Sequence, residues 1–94
     1  MENKVVDIFD EKYGRDFRKR TAKLREECME LVEAIDNLSP AQHDGELDRL
    51  IDEMADVMAV MTHVASLLNM SLVDLLETAI DKVLKRVDNP DYKR

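Results

Sequence analysis

Carboxylates at three-residue spacing recur along this chain of 94 residues. Asp7/Asp10, Glu27/Glu30, Glu30/Glu33, Glu53/Asp56, Asp74/Glu77 and Asp88/Asp91 all have it. Residues three apart share a helix face, so each pair could hold a divalent cation or simply face water, and water is the ordinary reading for any single pair. Position beside an apolar stripe separates two of them. In the helix read from Asp16 to Leu38, the stripe is Leu24, Cys28, Leu31, Ile35 and Leu38; Glu27 lies about 65° from its centre and Glu30 about twice that. In the helix read over 46–68, Glu53 and Asp56 sit at similar offsets from Leu47, Leu50, Ile51, Met54, Met58, Met61, Ala65 and Leu68. The four carboxylates therefore border buried surface. Antiparallel packing of the two helices across a short loop lets them converge.

Convergence calls for a cation. Two like charges about 4 Å apart repel by roughly 4 kcal/mol at an effective dielectric of 20. Mg²⁺ takes oxygen ligands, keeps several waters and prefers carboxylates together with substrate phosphates; Mn²⁺ can substitute. Cys28, His43 and His63 are isolated from one another and do not suggest zinc.

The elements that must position these groups are helices. Val5, Val6, Phe9 and Tyr13 predict a short first helix over 3–13, stopped by Gly14. Asp16 reads as the N-cap of the second helix, which Ser39-Pro40 ends. Residues 39–45 form a loop. The third helix carries a second apolar band, Val57, Val60, Val64 and Leu67, so it wants neighbours on two sides. Ser71 and Asp74 predict a capping box for a fourth helix that buries Leu72, Leu76, Ala79, Ile80, Val83 and Val87. That helix stops near Asn89-Pro90, and Asp91–Arg94 is read as a loose tail. The fold expected is all-α: a four-helix bundle with a short N-terminal helix, one domain over 1–94, its core completed by self-association.

Composition narrows the function. Charged residues make up 37% of the chain, and glycine and proline number two each, which suits long helices rather than a barrel or sandwich. A net charge of −7 argues against a nucleic-acid polymer as partner, though not against a nucleotide carried with a cation. The lone Cys28 fits a reducing cytoplasm. No apolar run approaches the roughly 20 residues of a membrane span.

Lys23-Leu-Arg-Glu-Glu-Cys-Met-Glu30, followed by Asp52-Glu-Met-Ala-Asp-Val57, resembles the E-E-x-x-E … E-x-x-D signature of the MazG-type all-α NTP pyrophosphohydrolases. Val5–Gly14 is similar to the short helix that precedes it in small members. The resemblance implies a Mg²⁺-dependent enzyme that hydrolyses a nucleoside triphosphate to monophosphate and pyrophosphate, working as a homodimer or homotetramer. It implies Glu27, Glu30, Glu53 and Asp56 as metal ligands. Glu26 matches the first acid of the doublet, and Glu26 and Glu27 become the candidates for catalysis. Lys23, one turn before Glu27, is the candidate phosphate contact, with Lys82, Lys85 and Arg86 as further ones. The chain has Asp81-Lys-Val-Leu-Lys-Arg86 where the family has an Asn-Lys … Asn-Arg pattern. Phosphoribosyl-ATP pyrophosphohydrolase has nearly the same signature and is the first alternative; a non-catalytic helical dimerisation module is the second.

Other residues have plainer expectations. Cys28 reads as a small buried hydrophobe and Met54, Met58 and Met61 as core. Arg18-Lys19-Arg20 reads as a solvated turn, with a contribution to phosphate attraction as the lesser reading. His63, two turns beyond Asp56 on roughly the same face, is expected at an interface or in solvent, with a role at the site as the lesser reading.

Overall fold

A computed structural model describes residues 2–39 and 44–88. It is all-α: α1 (Glu2–Tyr13), α2 (Arg20–Asp36), α3 (Asp44–Leu67) and α4 (Leu72–Val87). The predicted loop residues 40–43 and the expected tail lie outside the described residues.

Helix α1 ends where glycine permits a left-handed residue. Gly14 has φ +75°, and its N–H donates to the Asp10 carbonyl at 2.9 Å. Helix α2 starts later than expected. Asp16 does cap the backbone, its Oδ1 accepting from the N–H groups of Arg18 and Lys19 at 3.0 and 3.4 Å. However, it caps a tight turn over 17–19, and the helix proper begins at Arg20 without a side-chain cap.

Helices α2 and α3 pack antiparallel. At one end the Ser39 N–H and hydroxyl donate to the Glu46 carboxylate at 2.6 and 2.7 Å; at the other, Arg15 reaches the Ser66 carbonyl at 3.1 Å. Helix α1 lies on α3 through Phe9 and His63, whose rings meet edge to face with centroids 5.6 Å apart. His63 Nε2 lies 2.8 Å from Asp10 Oδ1. His63 is 0% exposed, which corrects its expected place at an interface or in solvent: α1 covers this face of α3, and Asp10 supplies a hydrogen-bond partner for the ring.

Helix α3 ends in a Schellman turn. Asn69 takes φ 57°, while the N–H groups of Met70 and Asn69 donate to the carbonyls of Ala65 and Ser66, both at 3.0 Å. The chain turns by 97° into α4. The predicted capping box is present, Ser71 Oγ accepting from the Asp74 N–H and Asp74 Oδ2 from the Ser71 N–H, both at 3.1 Å. Glu2 adds a further acceptor for the Leu72 N–H at 2.6 Å.

The core lies only in part where the apolar stripes place it. Within one chain Val60, Thr62, His63 and Ala65 of α3 are buried, whereas Ile51, Met54 and Met58 are exposed, Ile51 by 62%. Val60 belongs to the second band of α3 and Ala65 to the main stripe, so both bands reach the core in the C-terminal half of the helix, while Leu47, Ile51, Met54 and Met58 of the main stripe face out. No residue of α4 is buried, and Leu76 is 58% exposed. An apolar groove lies between α3 (Val57, Met58, Met61) and the N-terminal half of α4 (Leu72, Leu75, Leu76, Ala79).

Candidate metal centre

The antiparallel register of α2 and α3 sets Glu27 and Glu30 opposite Glu53 and Asp56. One carboxylate oxygen from each of the four lies within 4.8 Å of the others. Glu27 is only 7% exposed. Its Oε1 pairs with Lys23 Nζ at 2.9 Å, while its Oε2 is buried without a hydrogen-bond partner among the described residues. Glu53 is half-buried and leaves its Oε2 orphaned in the same way. Glu30 is half-buried and Asp56 exposed, so the cluster opens to solvent on the Asp56 side.

Electrostatics here oppose the charged state. The carboxyl of Glu30 is held above its ordinary range, first by the negative charge of Glu27, then by desolvation and a hydrogen bond with Glu27, with Glu53 and Glu26 adding to the repulsion. The Lys23 ammonium is held above its ordinary range by its hydrogen bond to Glu27, against a smaller opposing effect of burial. Glu26, exposed on the next position of the helix, lies 3.7 Å from Lys23 through its Oε2.

The residues fit a hard divalent cation. All donors are oxygen, two of them are buried and unpartnered, and their mutual repulsion changes sign once a dication sits among them. A family model, the MazG nucleotide pyrophosphohydrolase domain, matches residues 15–90. The chain belongs to this family. The general activity of the MazG domain is nucleotide pyrophosphohydrolysis, and its members are typically metal-dependent. No match was found among curated proteins or among solved structures.

The matched MazG region takes in α2, α3 and α4, and the acidic quartet lies within it. Lys23 stands beside the quartet. Lys82, Lys85 and Arg86 lie together on the exposed far half of α4, and the quartet does not include them. His63 is drawn into the α1–α3 contact instead of the quartet. Cys28 is exposed, which corrects its expected burial. The face of α2 turned inward is that of Arg20, Glu27 and Ala34, so Cys28, one position on from Glu27, points away, as do Met29, Val32 and Ile35. Of the methionines expected in the core, Met54 and Met58 are exposed and Met61 is half-buried.

Arg20 overturns the solvated-turn expectation. Arg18 and Lys19 are exposed, but Arg20 is 2% exposed. Its guanidinium carbon lies 4.5 Å from the Tyr13 ring centroid and 5.4 Å from that of Phe9. The clue available in sequence was position: Arg20 precedes Glu27 by seven residues and shares its face.

Proposed function

We propose that the chain is a Mg²⁺-dependent nucleoside triphosphate pyrophosphohydrolase that releases the monophosphate and pyrophosphate. The observation that carries this reading is the quartet: four carboxylates from two helices with oxygens mutually within 4.8 Å, in a chain whose family hydrolyses nucleotides. Glu27, Glu30, Glu53 and Asp56 would hold Mg²⁺, with Mn²⁺ as a substitute. Bound there, the metal polarises phosphate oxygens and makes a bound water more acidic.

The remaining roles fall to this chain's own side chains. Lys23, fixed by Glu27, presents a positive charge at the edge of the cluster for a phosphate. Glu26 and Glu27 are the carboxylates we assign to catalysis; Glu26, open to solvent, would take the proton. Lys82, Lys85 and Arg86 are further phosphate contacts, carried on a helix whose apolar face is uncovered within one chain.

A second copy is the occupant that reading assigns to that face. The accessible surface is 7449 Å², against about 5,600 Å² for a compact protein of this mass. That excess is of the order that an obligate interface removes. Under this proposal residues 1–94 form one domain, and the protein works as a homodimer or homotetramer in the cytoplasm. No single helix among the described residues is long and apolar enough to cross a membrane.

A panel of canonical and modified nucleoside triphosphates plus phosphoribosyl-ATP, assayed for pyrophosphate with and without Mg²⁺, tests the reading. Release from at least one nucleotide, dependent on Mg²⁺ and lost in Glu53→Gln, is the expected outcome. A Glu53→Gln variant as fast as the parent would overturn the assigned metal site.

A further inference from the structure

Arg20 is a buried cation with donors to spare. Its Nε and Nη2 are buried and lack a hydrogen-bond partner among the described residues, and its described contacts are the faces of Phe9 and Tyr13. Aromatic faces offset part of the cost of desolvating a guanidinium, but they do not accept the two in-plane N–H bonds. A planar fork of this kind matches the paired oxygens of a phosphate.

Its position gives the fork a partner. Arg20, Lys23 and Glu27 follow one another along a single face of α2, with about 10 Å of helix axis from Arg20 to Glu27. Lys23 joins the two ends, since its ammonium contacts Glu27 at 2.9 Å and is within electrostatic reach of Tyr13, the ring under Arg20. Lys23 is paired with Glu27 and Glu26, whereas the guanidinium of Arg20 has no carboxylate against it among the described residues. Tyr13, one of the two rings over it, is the last residue of α1 and itself 36% exposed; a phosphate would reach the guanidinium only with that ring turned aside.

We propose that Arg20 is a substrate-binding residue that grips, through Nε and Nη2, the phosphate group of a polyphosphate chain lying farthest from the acidic quartet. The inference rests on the pyrophosphohydrolase reading and adds to it the residue that recognises the released pyrophosphate end. Because the fork accepts two oxygens at fixed spacing, a lysine at position 20 can replace its charge but not its geometry.

Calorimetric titration of the full chain with pyrophosphate in saturating Mg²⁺ tests this. Arg20→Met is expected to weaken pyrophosphate binding by about 10- to 100-fold, with Arg20→Lys recovering part of the loss and Mg²⁺ binding alone unchanged in both. In the parent protein, the Arg20 Nε–H resonance should shift on adding pyrophosphate and stay in place with Mg²⁺ alone; this holds the test open if the variants fold poorly. An Arg20→Met variant that binds pyrophosphate as the parent does, or an Nε–H signal that ignores it, overturns the assignment. So does a variant whose only change is a lower melting temperature or an altered sedimentation coefficient, since Arg20 would then be a packing or interface group. If the parent binds pyrophosphate through Arg20 but turns over no nucleotide, the reaction falls and the binding residue stands. If the parent binds no pyrophosphate, both fall.

Discussion

At the scale of single residues, two groups of carboxylates do opposite things to stability. Those of the quartet crowd one another, as the raised Glu30 shows. Glu30→Gln should therefore raise the melting temperature of the metal-free protein while shrinking the further rise that Mg²⁺ produces, a pair of shifts readable in one thermal-denaturation series. Asp10 is the contrary case. Its carboxyl is held below the ordinary value of 3.8, first by the hydrogen bond with His63 and then by Arg15, against the effect of burial. Arg15 Nη1 bonds both of its oxygens, at 2.8 and 2.9 Å. A depressed carboxylate stabilises the native state above its unfolded pKa, and that contribution is lost as pH falls through the folded value. Denaturation of parent and Asp10→Asn should therefore differ most above about pH 4 and converge in stronger acid. The acidic pairs themselves were legible, because spacing and helix register are local properties. The burial of His63 was not: it is covered by α1, 53 residues away at Asp10, and one-dimensional periodicity carries no record of so distant a neighbour.

At the scale of elements, the punctuation was the most readable feature. Gly14, Ser71 and Asp74 mark the ends they were expected to mark, since capping depends on residues within a turn of one another. Ser71→Ala should cost about 1 kcal/mol in denaturant titrations, at the lower end because Glu2 also serves this helix start. Asn69, at φ 57°, ends α3 by the same local logic; Asn69→Gly should be neutral or slightly stabilising, and Asn69→Val destabilising by about 1–2 kcal/mol. Helix rotation was read less well. The stripes on α2 and α3 predict a mutual contact, yet α2 turns Arg20, Glu27 and Ala34 toward its neighbours and leaves Val32 and Ile35 outside. Hydrophobic pattern reports where apolar surface lies, not which partner covers it. A polar face directed inward for chemistry displaces the apolar one by about a quarter turn.

At the scale of the molecule, one chain is larger than its length warrants. Its radius of gyration is 16.0 Å, where a compact chain of this size has about 12 Å. Helix α4 is set at 97° to α3 and exposes Leu76, Ile80, Val83 and Val87. Under the proposed association, sedimentation equilibrium at micromolar concentration should find a dimer or tetramer, and Leu76→Glu should yield a smaller, less stable species.

The knot of Asp10, Phe9 and His63 bears on where this protein can be cut. The family match begins at residue 15, so a domain excised on similarity alone would discard α1. That cut would strip the imidazole of its carboxylate and its aromatic cover, uncover the guanidinium of Arg20, and remove the acceptor that Glu2 lends to the first turn of α4. The evolutionary boundary and the mechanical one differ by a helix. A fragment starting at residue 15 would keep every carboxylate of the quartet while losing part of the scaffold that holds α3 and α4 in place.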